Sequence, residues 1–268
     1  MDKPKILLSF DTEEFDLPRE HGVDISLEEG MKVSIRGTNR ILDCLKQNHV
    51  KATFFCTANF AKNAPEVMKR IMDEGHEVAC HGVDHFSPQP TDVEQSKKVI
   101  EGLYDVRVNG YRQPRMFPVS NQQIKDEGYL YNSSLNPAFI PGRYMHLDMP
   151  RTCFMQDGVL QIPSSVTPII RFPLFWLANH VLPVRLYHWM IRRTLRHDGY
   201  FTTYMHPWEF CNLREHPEWK IQAIIKMNCG DELLKRLDGV IKMLKATGGD
   251  FVTYTVFAQQ KIKDLSKC

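Results

Sequence analysis

The chain has 268 residues, enough to bury a substantial core, and its 43% hydrophobic and 25% charged residues are ordinary for a globular protein. The formal net charge is only +2, so no whole-molecule electric field favours nucleic acid, and the sequence contains no recognisable nucleic-acid module. We therefore expect one large domain over residues 1–268, with no nucleic acid as a partner.

The seven cysteines are odd in number and scattered, and no close pair has the spacing of zinc ligands. This pattern predicts reduced thiols and a cytoplasmic location. Residues 1–8 lack the apolar length of a secretion signal, and no run approaches the roughly 18 apolar residues of a membrane helix. We expect neither export nor a membrane span.

Strand and helix patterns alternate through the first half of the chain. Short apolar runs predict strands, and amphipathic stretches with capping residues predict helices. The predicted strands are 5–10, 51–56, 77–80 and 108–111, and the predicted helices are 34–48, 65–75, 91–102 and 121–128. Such alternation predicts an α/β fold with a parallel sheet or barrel, whose chemical residues lie at the carboxyl ends of the strands.

The second half is less regular. Prolines recur after Asn136, and we expect an irregular insertion at about 136–197 that contains a strand at 160–162. A strand at 200–205, a helix at 231–247 closed by two glycines and a last strand at 251–254 are predicted to follow.

Two acids, Asp11 and Glu13, end the first predicted strand, and His81 and His85 follow the strand at 77–80. Histidines four residues apart can point the same way on a helical turn, and a carboxylate from a neighbouring strand end can complete a two-histidine, one-carboxylate metal site. Either motif alone is commonly incidental, as a solvated acidic turn or a structural histidine pair. Together, at strand ends, they predict a hydrolytic metal centre.

Two further residues follow predicted strands. Arg112, after the strand at 108–111, could hold a catalytic carboxylate ionised, or it could be a surface arginine. His206 ends the strand at 200–205 and precedes proline and tryptophan, which suits a general acid beside a substrate-contacting ring, although it could also cap a buried loop.

In order and spacing, these motifs resemble those of the polysaccharide deacetylases, the NodB-homology family, over residues 6 to about 209. The resemblance is carried by Asp11, by 81–85, by 112–114, by 128–134 and by His206. It implies a distorted (β/α) barrel, usually with seven strands, that hydrolyses an N-acetyl group on an amino sugar. The sequences Phe-Asp-Thr-Glu and His-Pro-Trp-Glu are most similar to the branch linked to synthesis of cell-surface polysaccharides.

The resemblance also implies roles for these residues. Asp11 would be the general base, oriented by Arg112, and His206 would be the acid that protonates the leaving amine. The metal ligands would be Glu13, His81 and His85. One divalent ion is expected, with zinc as the default and iron, cobalt or nickel as alternatives. The expected partner is an N-acetylated sugar or polysaccharide precursor.

The sequence departs from the common family pattern at two places. Thr12 separates two acids that are adjacent in many members, so Glu13 must reach the metal. Asn132 stands where related proteins often carry aspartate, and an amide supplies no negative charge. Glu209 is a candidate substitute, although it could equally cap the loop after Trp208.

The segment 169–196 mixes aromatic and aliphatic residues with five arginines. It could lie on an anionic membrane, but we expect it to pack against the barrel with a basic outer face, so that membrane contact is at most weak. Trp176 and Trp189 could instead line a sugar subsite.

The leading functional hypothesis is metal-dependent removal of an N-acetyl group from an amino sugar of a surface polysaccharide or its precursor. One alternative is an allantoinase-like hydrolase of another linear or cyclic amide, because the metal chemistry does not depend on a sugar. A third is a non-catalytic carbohydrate-binding relative, which the intact set of motif residues disfavours.

Overall fold

The computed structural model describes residues 3–140, 144–145 and 147–266. Within them the strands are β1 (Lys5–Thr12), β2 (Thr53–Cys56), β3 (Glu77–Cys80), β4 (Gly110–Tyr111), β5 (Tyr131–Asn132), β6 (Phe139–Ile140), β7 (Tyr144–Met145), β8 (Phe154–Gln156), β9 (Val159–Gln161), β10 (Tyr200–Met205) and β11 (Asp250–Phe251). The α-helices are α1 (Leu17–Glu20), α2 (Leu27–Gln47), α3 (Ala58–Asn63), α4 (Pro65–Asp73), α5 (Asp92–Leu103), α6 (Asn121–Asp126), α7 (Trp176–Val181), α8 (Val184–Asp198), α9 (Ala223–Lys226), α10 (Asp231–Lys245) and α11 (Tyr254–Leu265). Short 3₁₀ helices lie at Pro114–Met116, Pro207–Phe210, Leu213–Glu215 and Pro217–Trp219.

Seven parallel strands form the body of the main sheet, in the order β10, β1, β2, β3, β4, β5, β9. β8 adds an antiparallel edge, and β11 pairs with the start of β1. The two ends of this order approach each other, because Ser165 donates its backbone N–H to the carbonyl oxygen of Thr202 at 3.3 Å. The sheet is therefore curled into a distorted barrel, and the carboxyl ends of its parallel strands open on one rim.

The alternation of side chains along β1 decides what faces the barrel interior. Ile6, Leu8 and Phe10 pack on the outside, in the large core formed with the helices. Leu7 packs inside, in a second core with Tyr254 of α11. Since successive side chains of a strand point to opposite faces, Asp11 lies on the interior face, at the rim.

The strands and helices predicted in the first half of the chain agree with the structure except at their ends. The largest difference is α2, which begins at Leu27 instead of at 34. Ser26 caps it by accepting a hydrogen bond from the backbone N–H of Glu29. The helix therefore begins seven residues earlier than the sequence pattern indicated.

Two predictions of local structure were wrong. The last strand was expected at 251–254, but it ends at Phe251, and Thr253 caps α11, a helix that the sequence analysis did not predict. The residues from His81 to His85 form a loop and no helical turn. Gly82 in that loop has a φ of +72°, a conformation that favours glycine.

The segment 136–197, expected to be irregular, contains β6 to β9, α7 and α8. α8 packs on the barrel through Tyr187, Ile191 and Leu195 and presents Arg192 and Arg193 to solvent. This is the basic outer face expected from the sequence. Among the described residues, no helix is both long and apolar enough to span a membrane.

Candidate active site

Three buried side chains converge at the rim of the barrel. Glu13 follows β1, and His81 and His85 lie on the loop after β3. Oε2 of Glu13 lies 3.3 Å from Nε2 of His81 and 3.3 Å from Nε2 of His85. Parallel strands end on the same rim, which brings Glu13 close to the two histidines although they are about seventy positions apart in sequence.

The two histidines use their Nδ1 atoms in hydrogen bonds and point both Nε2 atoms at Glu13. Nδ1 of His81 donates to the carbonyl oxygen of Arg112 at 2.8 Å, and Nδ1 of His85 donates to Oδ2 of Asp16 at 2.9 Å. Oε2 of Glu13 is buried and has no hydrogen-bond partner. A metal ion bound to Nε2 of the neutral histidines and to this carboxylate oxygen would satisfy all three atoms. The residues therefore fit a divalent metal ion.

The charges of this site agree with that interpretation. Burial acts to raise the pKa of Glu13, but His85, His206 and His81 outweigh it and lower the pKa to about 2. Glu13 is thus ionised at neutral pH and available as a ligand. Burial acts to lower the pKa of His85, but Glu13 and Asp16 raise it to about 9, so a proton competes with a metal for Nε2.

Two acids that the sequence analysis did not single out hold the histidine loop. Asp16 accepts from Nδ1 of His85, as described above. Glu14 accepts from the backbone N–H of His85 at 3.1 Å and from the hydroxyl of Thr57 at 2.7 Å. The acidic run from Asp11 to Asp16 was a visible signal, but only the first two acids were interpreted.

Arg112 is fully buried and forms an ion pair with Asp11. Its other guanidinium hydrogen bonds go to Ser9 Oγ at 3.0 Å, to Ser133 Oγ at 3.0 Å, to the carbonyl oxygen of Ser133 at 3.3 Å and to Tyr254 Oη at 3.2 Å. The alternative of a surface arginine is therefore wrong. These bonds fix Asp11 on the rim.

His206 lies opposite, held by the carboxylate of Glu209. Oε1 of Glu209 is 2.6 Å from Nδ1 of His206 and also accepts its backbone N–H at 2.6 Å. The imidazole stacks on Trp208, with ring centroids 5.0 Å apart. Burial acts to lower the pKa of His206, but Glu13, Glu209 and Asp11 outweigh it and raise the pKa above its ordinary value.

Glu209 provides the carboxylate that contacts His206, and Asn132 makes different contacts. Asn132 itself accepts hydrogen bonds from the backbone N–H of Ser134 at 3.0 Å and from its hydroxyl. Its side chain stabilises the loop after β5, and it is uncharged. Two roles were considered for Glu209, and its carboxylate fills both. It caps the turn after His206, and it contacts the His206 ring.

The candidate metal ligands, the candidate base and the candidate acid line one cavity of about 500 Å³. Asp11, Glu13, His81, His85 and His206 contribute to its lining. Trp176 contributes an aromatic wall, whereas Trp189 is 54% exposed on α8 and lies outside the lining. A cavity of this volume is in the range that accommodates a small ligand.

Asp84 does not join the ligand set. Its carboxylate accepts from the side-chain amide of Asn59 at 3.1 Å and from the backbone N–H of Ser87 at 2.8 Å. These contacts place Asp84 in the structure of the histidine loop.

Known proteins share both the sequence motifs and the fold. The family model described as polysaccharide deacetylase matches residues 2–126. A peptidoglycan deacetylase from Helicobacter pylori is 29% identical over 118 residues, which cover 41% of this chain and 40% of the relative. The chain thus spans less than half of that relative's length.

Solved structures extend the likeness to nearly the whole chain. A Mycobacterium smegmatis structure described as a candidate polysaccharide deacetylase aligns with a TM-score of 0.66 and 18% identity, covering 97% of this chain and 91% of the other. The Puue allantoinase aligns with a TM-score of 0.64 and 15% identity, covering 95% and 89%. At such identities the likeness shows the fold alone, and it confirms the expected distorted seven-stranded (β/α) barrel. The family model over residues 2–126 and the shared fold thus confirm that the chain is similar to the polysaccharide deacetylases, as its motifs predicted.

Proposed function

We propose that this protein is a metal-dependent hydrolase that removes the N-acetyl group from an amino sugar. The observation that carries the proposal is the convergence of three atoms that can bind a metal ion, from Glu13, His81 and His85, in a cavity that also presents Asp11 and His206. Hydrolysis of an amide needs activation of water, a base and an acid, and one cavity contains groups suited to each role.

The proposed division of labour follows the contacts of each residue. A divalent ion held by Glu13, His81 and His85 would supply Lewis acidity, which polarises the amide carbonyl and acidifies water. Asp11 would accept the proton of the attacking water. Its ion pair with Arg112 keeps the carboxylate oriented on the rim throughout the reaction.

His206 would donate a proton to the amide nitrogen as the carbon–nitrogen bond breaks. Without that proton the leaving group would be an amide anion, which is far too basic to depart readily. The raised pKa of His206 favours the imidazolium form that this step requires. With Nδ1 engaged by Glu209, Nε2 is the ring nitrogen left to serve the cavity.

The proposed substrate is an N-acetylated amino sugar of a cell-surface glycan, either of the peptidoglycan type or a precursor. The curated relative named above acts, by its name, on peptidoglycan. Trp176 in the cavity wall supports a sugar ligand, since aromatic faces stack on sugar rings. We place the reaction in the cytoplasm, as expected from the scattered cysteines; the six that lie in the described residues are free thiols, and Cys268 lies outside those residues.

An allantoinase-like reaction on another amide is the second candidate, because the Puue allantoinase shares the fold. Acetate release should be measured on N-acetylglucosamine oligomers, peptidoglycan fragments and a nucleotide-linked N-acetyl sugar, and amide hydrolysis on allantoin. The zinc-loaded protein and its Asp11→Asn variant should be compared on each.

Release of acetate from a sugar by the zinc-loaded protein, and its loss in the Asp11→Asn variant, would support the proposal and identify the substrate class. Hydrolysis of allantoin alone would replace it with the second candidate. Sugar binding with no turnover of any substrate would support a non-catalytic carbohydrate-binding protein.

A further inference from the structure

A second histidine, His180 of α7, contacts the acid that holds His206. His180 is fully buried, and its Nε2 lies 2.7 Å from Oε2 of Glu209. The other oxygen of Glu209, Oε1, is the one bound to Nδ1 of His206. One buried carboxylate therefore bridges two imidazole rings.

The partners of His180 determine its protonation state. Its Nδ1 lies 2.6 Å from the carbonyl oxygen of Met227, which can only accept a hydrogen bond, so Nδ1 carries a proton. Its Nε2 faces a carboxylate, which when ionised can also only accept. An ionised Glu209 therefore requires a proton on both ring nitrogens of His180, which makes the ring an imidazolium ion.

The alternative, a proton on Glu209 and a neutral His180, is disfavoured by the other contacts of Glu209. Oε1 already accepts the backbone N–H and Nδ1 of His206. Burial acts to raise the pKa of Glu209, but hydrogen bonds from His180 and His206 outweigh it and lower the pKa. Glu209 is therefore the anion of the group.

Neighbouring residues keep His180 in this geometry. The side-chain amide of Asn228 donates to the carbonyl oxygen of His180 at 2.6 Å, and the backbone N–H of Gly230 donates to the carbonyl oxygen of Glu209 at 2.9 Å. The turn that follows α9 thus holds both partners. The Trp176 ring lies against His180, with centroids 6.0 Å apart.

We propose that His180 is a positioning residue for His206: as a buried imidazolium it fixes the shared carboxylate of Glu209 and weakens the hold of that carboxylate on the His206 proton. The role rests on the proposed function of His206 as the acid. A positive charge on His180 repels the positive charge on His206 and so offsets part of the stabilisation that Glu209 gives to the protonated His206. His206 would therefore release its proton to the leaving amine more readily than in an isolated histidine–glutamate pair.

Other charged groups lie near the two rings, but Glu209 is the acid between them. His206 also faces Glu13 and Asp11, which favour its protonated form. Near His180, the guanidinium of Arg236 donates to the carbonyl oxygens of Asn179 at 2.8 Å and Leu182 at 2.9 Å, so it is engaged by the backbone. Glu209 is thus the acid that both histidines contact directly.

The test compares His180→Gln with a matched control, His188→Gln, in which the same change is made at a partly exposed histidine of α8. Glutamine can still donate to Glu209 but carries no charge. In the zinc-loaded enzyme, the alkaline limb of kcat should move to higher pH by about one unit in His180→Gln and stay in place in the control. If kcat fell in His180→Gln while the alkaline limb stayed at the same pH, the role of His180 would be only structural, and the proposal would be overturned.

A second measurement does not depend on activity. In wild-type protein labelled with ¹⁵N-histidine, both ring nitrogens of His180 should be protonated at neutral pH, and the pKa of His206 should rise in His180→Gln. A neutral tautomer of His180 would overturn the proposal even if the variant failed to fold. If no substrate released acetate, the proposed function would fail, while these resonances would still decide the coupling between the two histidines.

Discussion

Nδ1 of His81 donates a hydrogen bond to the backbone carbonyl oxygen of Arg112, 2.8 Å away. The side chain of Arg112 forms an ion pair with Asp11. Arg112 thus orients His81 through its backbone and Asp11 through its guanidinium group. The candidate metal centre and the candidate base are therefore coupled through one residue at the end of β4. A displacement of Arg112 would disturb both groups.

We predict one divalent ion per chain, held by Glu13, His81 and His85. The double substitution His81→Ala, His85→Ala should abolish stoichiometric metal, because it removes two of three donor atoms in the buried site. Metal analysis of the purified proteins measures this, with His188→Ala as a control that should keep its ion. Full occupancy in the double variant would mean that the ligands lie elsewhere.

Asp11→Asn should keep the metal and lower kcat by about 10²- to 10⁴-fold, because the amide preserves shape but cannot accept a proton from water. Loss of the charge opposite buried Arg112 should also lower the free energy of unfolding, by up to about 3 kcal/mol. Steady-state kinetics and thermal unfolding separate the two effects. Asp84→Asn is the control, and a larger loss of turnover there than in Asp11→Asn would move the base to Asp84.

The pH dependence of kcat should be bell-shaped, with Asp11 required as carboxylate and His206 as imidazolium. The pKa of His206 is raised, so activity should persist above the ordinary histidine value of 6.5 and fall as pH rises through the raised value. His206→Ala should lower the rate and remove the alkaline limb. Rate profiles of both proteins from pH 5 to 10 test this, and a limb that survives the substitution excludes His206 as the acid.

Gly37→Ala should destabilise the protein and misplace His206. A Cβ at Gly37 of α2 would lie 1.8 Å from the carbonyl oxygen of Pro207, the residue after His206, so the helix or the loop must move. We expect a loss of about 1–3 kcal/mol in unfolding free energy together with reduced kcat.

The control for that prediction is Gly102→Ala in α5, where an added Cβ meets no atom within 4 Å. Removing a helical glycine there should be neutral or stabilising, by up to about 1 kcal/mol. Chemical denaturation and kinetics of both variants provide the measurement. Equal stability of the two variants would show that the contact between α2 and the His206 loop tolerates the added atom.

Membrane contact by the basic face of α8 should be at most weak. Most apolar residues of this helix pack against the barrel, although Trp189 remains exposed. Sedimentation with vesicles containing anionic lipid, at low and moderate salt, measures binding. Strong, salt-sensitive binding that disappears in Arg192→Glu, Arg193→Glu would contradict this prediction and indicate a membrane-bound substrate.

The residue pattern was sufficient to predict an α/β fold with a parallel sheet or barrel, and the family resemblance implied its seven strands. Apolar periodicity identified six of the seven parallel strands and missed β5. Residues that directly follow parallel strands share a rim, so Asp11, His81, Arg112 and His206 could be placed together. The donor types and strand-end positions of the metal triad are properties of the chain, and the resemblance assigned Glu13, not Asp11, as its carboxylate.

The tertiary structure alone decided which groups hold those residues in place. His180 and Glu209 are 29 residues apart, and neither a strand end nor a motif relates them before α7 packs against the His206 loop. Asp16 likewise gains its role from a loop conformation that depends on the positive φ of Gly82. Local patterns report the period of buried side chains, whereas the partner of a buried polar atom depends on which loops and helices come into contact on folding.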